Sequence, residues 1–81
     1  MGEIPKHTKA NIDCYVQRRF HPGSFLMAVL SNDLVEAFAR ADKQNREALF
    51  YIVGYLYSSV PVICWGSPAK VEAWLTGGRY D

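Results

Sequence analysis

The sequence predicts an all-α fold: one small domain of about four helices, organised around a central antiparallel helix pair. Three observations lead to it. From Ser24 to Val60 almost every long apolar side chain recurs at helical spacing. Thr8, Ser24, Asp42 and Ser67 stand where helices would begin, each able to accept a hydrogen bond from an otherwise unpaired amide. Pro22-Gly23, Pro61 and Gly77-Gly78 stand where helices would stop.

Residues 1–7 read as a polar, flexible arm, residues 8–76 as the helical domain and residues 77–81 as a tail. The first helix is expected from Thr8 to about Arg19, with Ile12, Tyr15, Val16 and Phe20 (or Arg19) repeating at helical spacing. In the second, Leu26, Leu30, Leu34, Phe38 and Ala41 form one stripe, widened by Phe25, Val29 and Ala37. Ser31-Asn32-Asp33 interrupts that stripe with residues that compete for backbone hydrogen bonds. Because Leu30 and Leu34 stay in phase across the interruption, a continuous helix over 24–40 is favoured over one broken at 31–33. Asp42 caps a third helix that turns Ala48, Leu49, Ile52, Val53, Leu56 and Val60 inward and sets Arg46, Glu47, Phe50, Tyr51, Gly54 and Tyr57 on its flanks and outer face. Val62 to Trp65 reads as a short extended piece. Ser67 and Pro68 open a last helix that ends at Gly77.

Composition narrows the classes of function. A chain of 81 residues holds one core and gains from self-association, because small domains bury a smaller share of their surface. With 49% apolar and 14% aromatic residues, disorder is not expected. Five tyrosines are more than so small a core can supply with hydroxyl partners, so some belong at an interface or a pocket. The net charge of +1 and the absence of a basic block make nucleic acid an unlikely partner. No apolar run approaches the length of a membrane span, and the first residues carry no export signal, so a cytoplasmic location is expected. Cys14 and Cys64 lack neighbours at ligand spacing, which points to reduced, structural thiols and no metal.

No spacing matches a nucleophile with its base, so no catalytic residues, cofactor or enzyme activity are expected. Three constellations could bind. Asn32 and Asp33, with Arg40 and Asn45, could form a polar pocket: amides and carboxylates read base edges, and a guanidinium pairs with phosphate. The plainer reading is a set of caps and solvated groups. Arg18 and Arg19, beside His21, could attract an anion. Tyr51, Tyr55, Tyr57 and the rings of Trp65 and Trp74 could stack on a base or form an interface. The plainer reading of the tryptophans is as core plugs.

The phrases PGSFLMAVLSNDLVEAFARAD, IVGYLY and CWGSPAKVEAWL resemble a family of small bacteriophage and prophage proteins, over roughly residues 11–76. The resemblance implies an accessory protein acting in the cytoplasm of an infected bacterium. It brings no catalytic residues. In that setting the first expectation is a counter-defence protein that sequesters a small nucleotide-type signal, as a homo-oligomer, through Arg18, Arg19, Asn32, Asp33, Arg40, Asn45, Tyr51 and Trp65. The alternatives are an inhibitor of a host protein acting through the aromatic surface of Tyr51, Tyr55 and Tyr57, and a small DNA-binding regulator.

Overall fold

A computed structural model describes residues 3–77. They form six α-helices and one 3-10 turn, with no strand among them: α1 Lys6–Arg18, α2 Ser24–Leu30, α3 Leu34–Arg40, α4 Lys43–Glu47, α5 Leu49–Ser59, the 3-10 turn Val62–Cys64 and α6 Pro68–Leu75. The expected all-α class holds. The two long central helices are instead four shorter ones.

The first break lies at the polar triplet. Asn32 takes a left-handed backbone with φ of 65°, and the Asn32 and Asp33 amides donate back to the Val29 and Ala28 carbonyls. That pairing closes α2 in a Schellman turn. Asp33 then starts α3 by accepting from the Glu36 amide at 3.3 Å. The continuous helix over 24–40 is therefore corrected to two helices. The break also turns α3: Leu26 and Leu30 are buried as expected, but Leu34 and Phe38 face outward and Ala37 faces inward. The second break is milder. Ala48 sits at φ −93°, ψ 2°, its amide shared between the Gln44 and Asn45 carbonyls.

At the start of the chain, α1 opens at Lys6 behind Pro5 rather than at Thr8. Pro5 is the N-cap, where its missing amide costs the helix no bond, and Phe20, past the other end of α1, is exposed rather than part of an inward stripe. Thr8 is buried and serves a longer-range purpose: its hydroxyl donates to Asn45 Oδ1 at 2.6 Å, tying α1 to α4. At the other end of the chain, Ser67 accepts from the Lys70 amide and Pro68 occupies the first turn of α6, as expected. The expected extended piece at 62–65 is a 3-10 turn for three residues, with Trp65 extended after it. Of the arm and tail, residues 1–2 and 78–81 lie outside the described residues.

The core gathers Ile12 and Tyr15 from α1, Leu26, Val29 and Leu30 from α2, Ile52 and Leu56 from α5, and Cys64 and Val71. Two polar clasps lock it. The Tyr15 hydroxyl donates to the Cys64 carbonyl at 2.6 Å, and the Gly66 amide donates to the Leu30 carbonyl at 2.7 Å. Gly66 has φ of 116°, a conformation that side-chain-bearing residues resist, so glycine is needed there. Cys14 and Cys64 are both free thiols, and burial pushes the Cys64 thiol up from its ordinary value. No helix among the described residues is long and apolar enough to cross a membrane.

Candidate functional site

Two cavities meet at Arg40. One, of about 440 Å³, is an open groove along α2 and α3, with His21, Ser24, Ser31, Asp33 and Glu36 on its walls. The other, of about 260 Å³, lies between the start of α1 and the start of α2, with His7, Asn11, Ser24 and Asn45 among its lining residues. Arg40 and Ser24 line both. The chain reaches this arrangement because Pro22 is buried and Gly23 carries φ of 96°, turning the backbone sharply between α1 and α2.

The groove is mixed in character: Met27, Ala28 and Pro68 make much of its lining apolar, and charged side chains of both signs stand beside them. The Arg40 side chain is exposed and its Nε donates to Glu36 one helical turn earlier. An exposed pair of that kind is weak and exchanges readily for a better anion. His21 Nδ1 accepts from the Gly23 amide at 3.1 Å, so in the neutral ring the proton resides on Nε2, where it can be donated outward. Asp42 accepts from the Asn45 amide at 2.8 Å and caps α4 at the edge of the groove. Together the site offers one guanidinium, carboxylate acceptors, hydroxyls and imidazoles. Such a set can hold a ligand that has both hydrogen-bond donors and an anionic group. Among the described residues, no three His, Cys, Asp or Glu side chains lie together in a way that could hold a metal ion.

Of the residues expected to bind, Asp33, Arg40 and Asn45 line these cavities. Asn45 is buried, with its amide oxygen engaged by Thr8, so its part there is to fix the wall. The others lie elsewhere. Arg18 is exposed in the last turn of α1. Arg19 is committed to the fold: its guanidinium stacks 3.7 Å over the Trp74 ring and donates to the Trp74 carbonyl at 3.0 Å. Asn32 and Trp65 line a separate cavity of about 150 Å³ between α3 and α5, and Trp65 Nε1 donates to the Val60 carbonyl at 3.3 Å. Tyr51 is exposed, its ring edge-on to Phe50 at 5.1 Å between centroids.

The three tyrosines expected at an interface divide. Tyr51 and Tyr57 are exposed. Tyr55 is half-buried, and its hydroxyl donates to Asp13 Oδ1 at 2.6 Å. That bond lowers the Asp13 carboxyl and, with burial, raises the Tyr55 hydroxyl. Lys9 completes the cluster, 3.2 Å from Asp13 and 5.1 Å from the Tyr55 ring centroid.

Sequence reasoning missed His7 and Asn11 as groove residues. They lie on α1, far in the chain from Arg40, and only the packing of α1 on α4 brings them near. A second surface is apolar. Between α3 and α5 a groove of about 500 Å³ is lined by Leu34, Leu49, Phe50, Val53, Gly54 and Tyr57. It continues into the cavity at Trp65 through Leu34, Leu49 and Val53, which line both. No protein-family model, curated protein or solved structure matches this chain.

Proposed function

We propose that this chain is a non-enzymatic phage accessory protein that sequesters a small nucleotide-type signal in the cytoplasm of an infected bacterium. The observation that carries the reading is Arg40, an exposed guanidinium at the junction of two cavities, the larger with a mostly apolar lining and the smaller mostly polar. The larger, about 440 Å³, falls in the size range of small-molecule pockets, and the smaller, about 260 Å³, extends it at Arg40. Arg40 pairs with a phosphate; Asp33 and Glu36 accept from base or ribose donors; Ser24, Asn11 and the two histidines set orientation. The phage setting rests on the sequence phrases given above, and counter-defence is the role that the setting suggests.

Thermal-shift measurements against cyclic dinucleotides and ADP-ribose derivatives test it. A ligand at a hundredfold excess over its dissociation constant adds about 2.7 kcal/mol to stability. For a domain of this size that raises the melting temperature by on the order of ten degrees. Arg40→Ala removes the shift, whereas Arg18→Ala retains it. A flat response across the panel defeats the reading.

A second reading follows from the apolar groove. Phe50 and Tyr57 are exposed on α5, within a stretch from Ala48 to Ala69 that holds no Asp, Glu, Lys or Arg. Such a surface can cover part of a host protein and block it. Loss of host-protein binding on Tyr57→Ser, with nucleotide binding absent, would establish this reading instead of the first.

A further inference from the structure

We infer that the exposed face of α5 is a self-association surface, on which a second copy of the chain lays its own α5 antiparallel, crossing at Gly54. The inference is independent of the nucleotide reading, because the groove at Arg40 lies on other residues.

Gly54 is the starting point. It sits in the interior of α5, where glycine is the poorest residue after proline. The fold itself gives no reason for it: a Cβ added at Gly54 meets nothing within 4 Å. A missing side chain on an exposed helical face is useful where another backbone comes close. On the same face, Phe50 lies one turn before Gly54 and Tyr57 one turn after. Both rings stand in solvent, 80% and 83% exposed.

This large–small–large pattern is its own complement. Phe50 lies about 6 Å along the helix axis on one side of Gly54, and Tyr57 about 4.5 Å on the other. When two such helices cross antiparallel at their glycines, each Phe50 meets the other copy's Tyr57 and the gap at Gly54 admits the other backbone. A two-fold pairing needs this self-matching, since the same patch is used twice. A foreign partner has no need of it.

Charge agrees. From Ala48 to Ala69 the chain carries no Asp, Glu, Lys or Arg. Antiparallel pairing about Gly54 sets the residues before it against those after it in the other copy, so along 48–60 no charge is buried against an apolar neighbour and no like charges meet. The area just reaches what a specific pair needs. Phe50, Tyr57 and Tyr51, with Leu34 at 66% and Val53 at 40% exposure, offer on the order of 500–600 Å² per copy. Complete cover of these side chains in both copies would bury at most on the order of 1,000–1,200 Å², at the threshold of about 1,000 Å² for a specific interface and below the standard size.

Sedimentation equilibrium and light scattering on the full chain, from low to high micromolar concentration, test the proposal. The wild type is expected at twice the chain mass or an even multiple of it. Gly54→Leu is the informative variant. Leu is a far better helix former and has open space in the single chain, so the monomer keeps its helical circular dichroism and gains thermal stability at low concentration. At the crossing it fills the gap, and the dissociation constant of the pair rises at least about tenfold. Tyr57→Ser weakens the pair in the same direction through lost contact area. A wild type that is monomeric throughout overturns the proposal, as does an assembly whose mass responds to neither variant. A monomer that instead captures a different protein through Phe50 and Tyr57 also overturns it and assigns the face to a foreign partner.

Discussion

The guanidinium of Arg19 lies over the indole of Trp74, 3.7 Å from the ring centre, while its Nη1 donates to the Trp74 carbonyl at 3.0 Å. The indole nitrogen of Trp74 returns the link by donating to the Tyr15 carbonyl at 2.9 Å. The last helix is thereby fastened to the end of the first. A half-buried cation–π stack with a charged hydrogen bond contributes roughly 1–3 kcal/mol. Arg19→Ala is expected to lower the melting temperature by several degrees, and Arg18→Ala, whose side chain is exposed, by far less. Arg19→Lys should behave more like the alanine variant, because an ammonium cannot stack and reach the carbonyl together. Circular dichroism melts of the three variants check this.

The Tyr15 hydroxyl is a buried donor to the Cys64 carbonyl. Tyr15→Phe strands that carbonyl and should cost about 1–2 kcal/mol, read from urea unfolding. The same burial raises the Tyr15 hydroxyl well above its ordinary value. A raised folded-state value gives stability that is whole below the unfolded value of about 10 and declines as pH climbs above it. Alkaline unfolding should accordingly begin above about pH 10 and be accompanied by a late rise in tyrosinate absorbance; Tyr15→Phe should flatten the decline.

At Asp13 the sign is the reverse. The Tyr55 hydroxyl, then Lys9, hold the carboxyl below its ordinary range. Its contribution is present above the unfolded value of about 3.9 and is lost as pH falls through the lower folded one. The effect is modest because the group is only half-buried. Melting temperatures of wild type and Asp13→Asn should converge as pH falls below about 4, with wild type the more stable at neutral pH.

Thr8 and Asn45 form the other buried polar pair, joined at 2.6 Å. Thr8→Val preserves shape but leaves the Asn45 amide oxygen unpaired, at a cost of about 1–3 kcal/mol. Thr8→Val combined with Asn45→Leu removes both polar partners and should destabilise less than the sum of the single changes. A double-mutant cycle in urea measures that coupling.

Much of this fold could be read from local chemistry. Ser67 and Pro68 start α6 as expected, and Ile52 and Leu56 of α5, with Ala48 and Val60 at its two caps, are buried as expected, whereas Val53 is exposed in the groove beside α3. The break at Asn32 escaped the leucine pattern because the four-residue step from Leu30 to Leu34 is the same in sequence whether or not the helix changes direction between them, and here Leu34 and Phe38 are turned outward. The residue types did carry a signal: Asn tolerates a left-handed backbone, and Asp three positions before Glu starts a helix. Long-range pairings left no local trace. Arg19 meets Trp74 across 55 positions and Thr8 meets Asn45 across 37, so a basic pair and a cap residue were all that spacing could suggest. The candidate site was legible where one short segment supplies it, as with Asp33 and Arg40. It was not legible where α1 brings His7 and Asn11 to it through tertiary packing.

The turn at Asn32 also decides how tightly each part of the chain is held. Beyond it, α3 is a helix of seven residues that buries only Ala37. Its hold on the domain comes from that methyl, the Asp33 cap and the stack of Arg46 on Phe38 at 4.6 Å. Amide protons of α3 should therefore trade with deuterium by local opening, well before those of α1, whose interior side chains reach the core. Binding at Arg40 or at Leu34 would slow that exchange, so one set of amides reports on both faces of the protein.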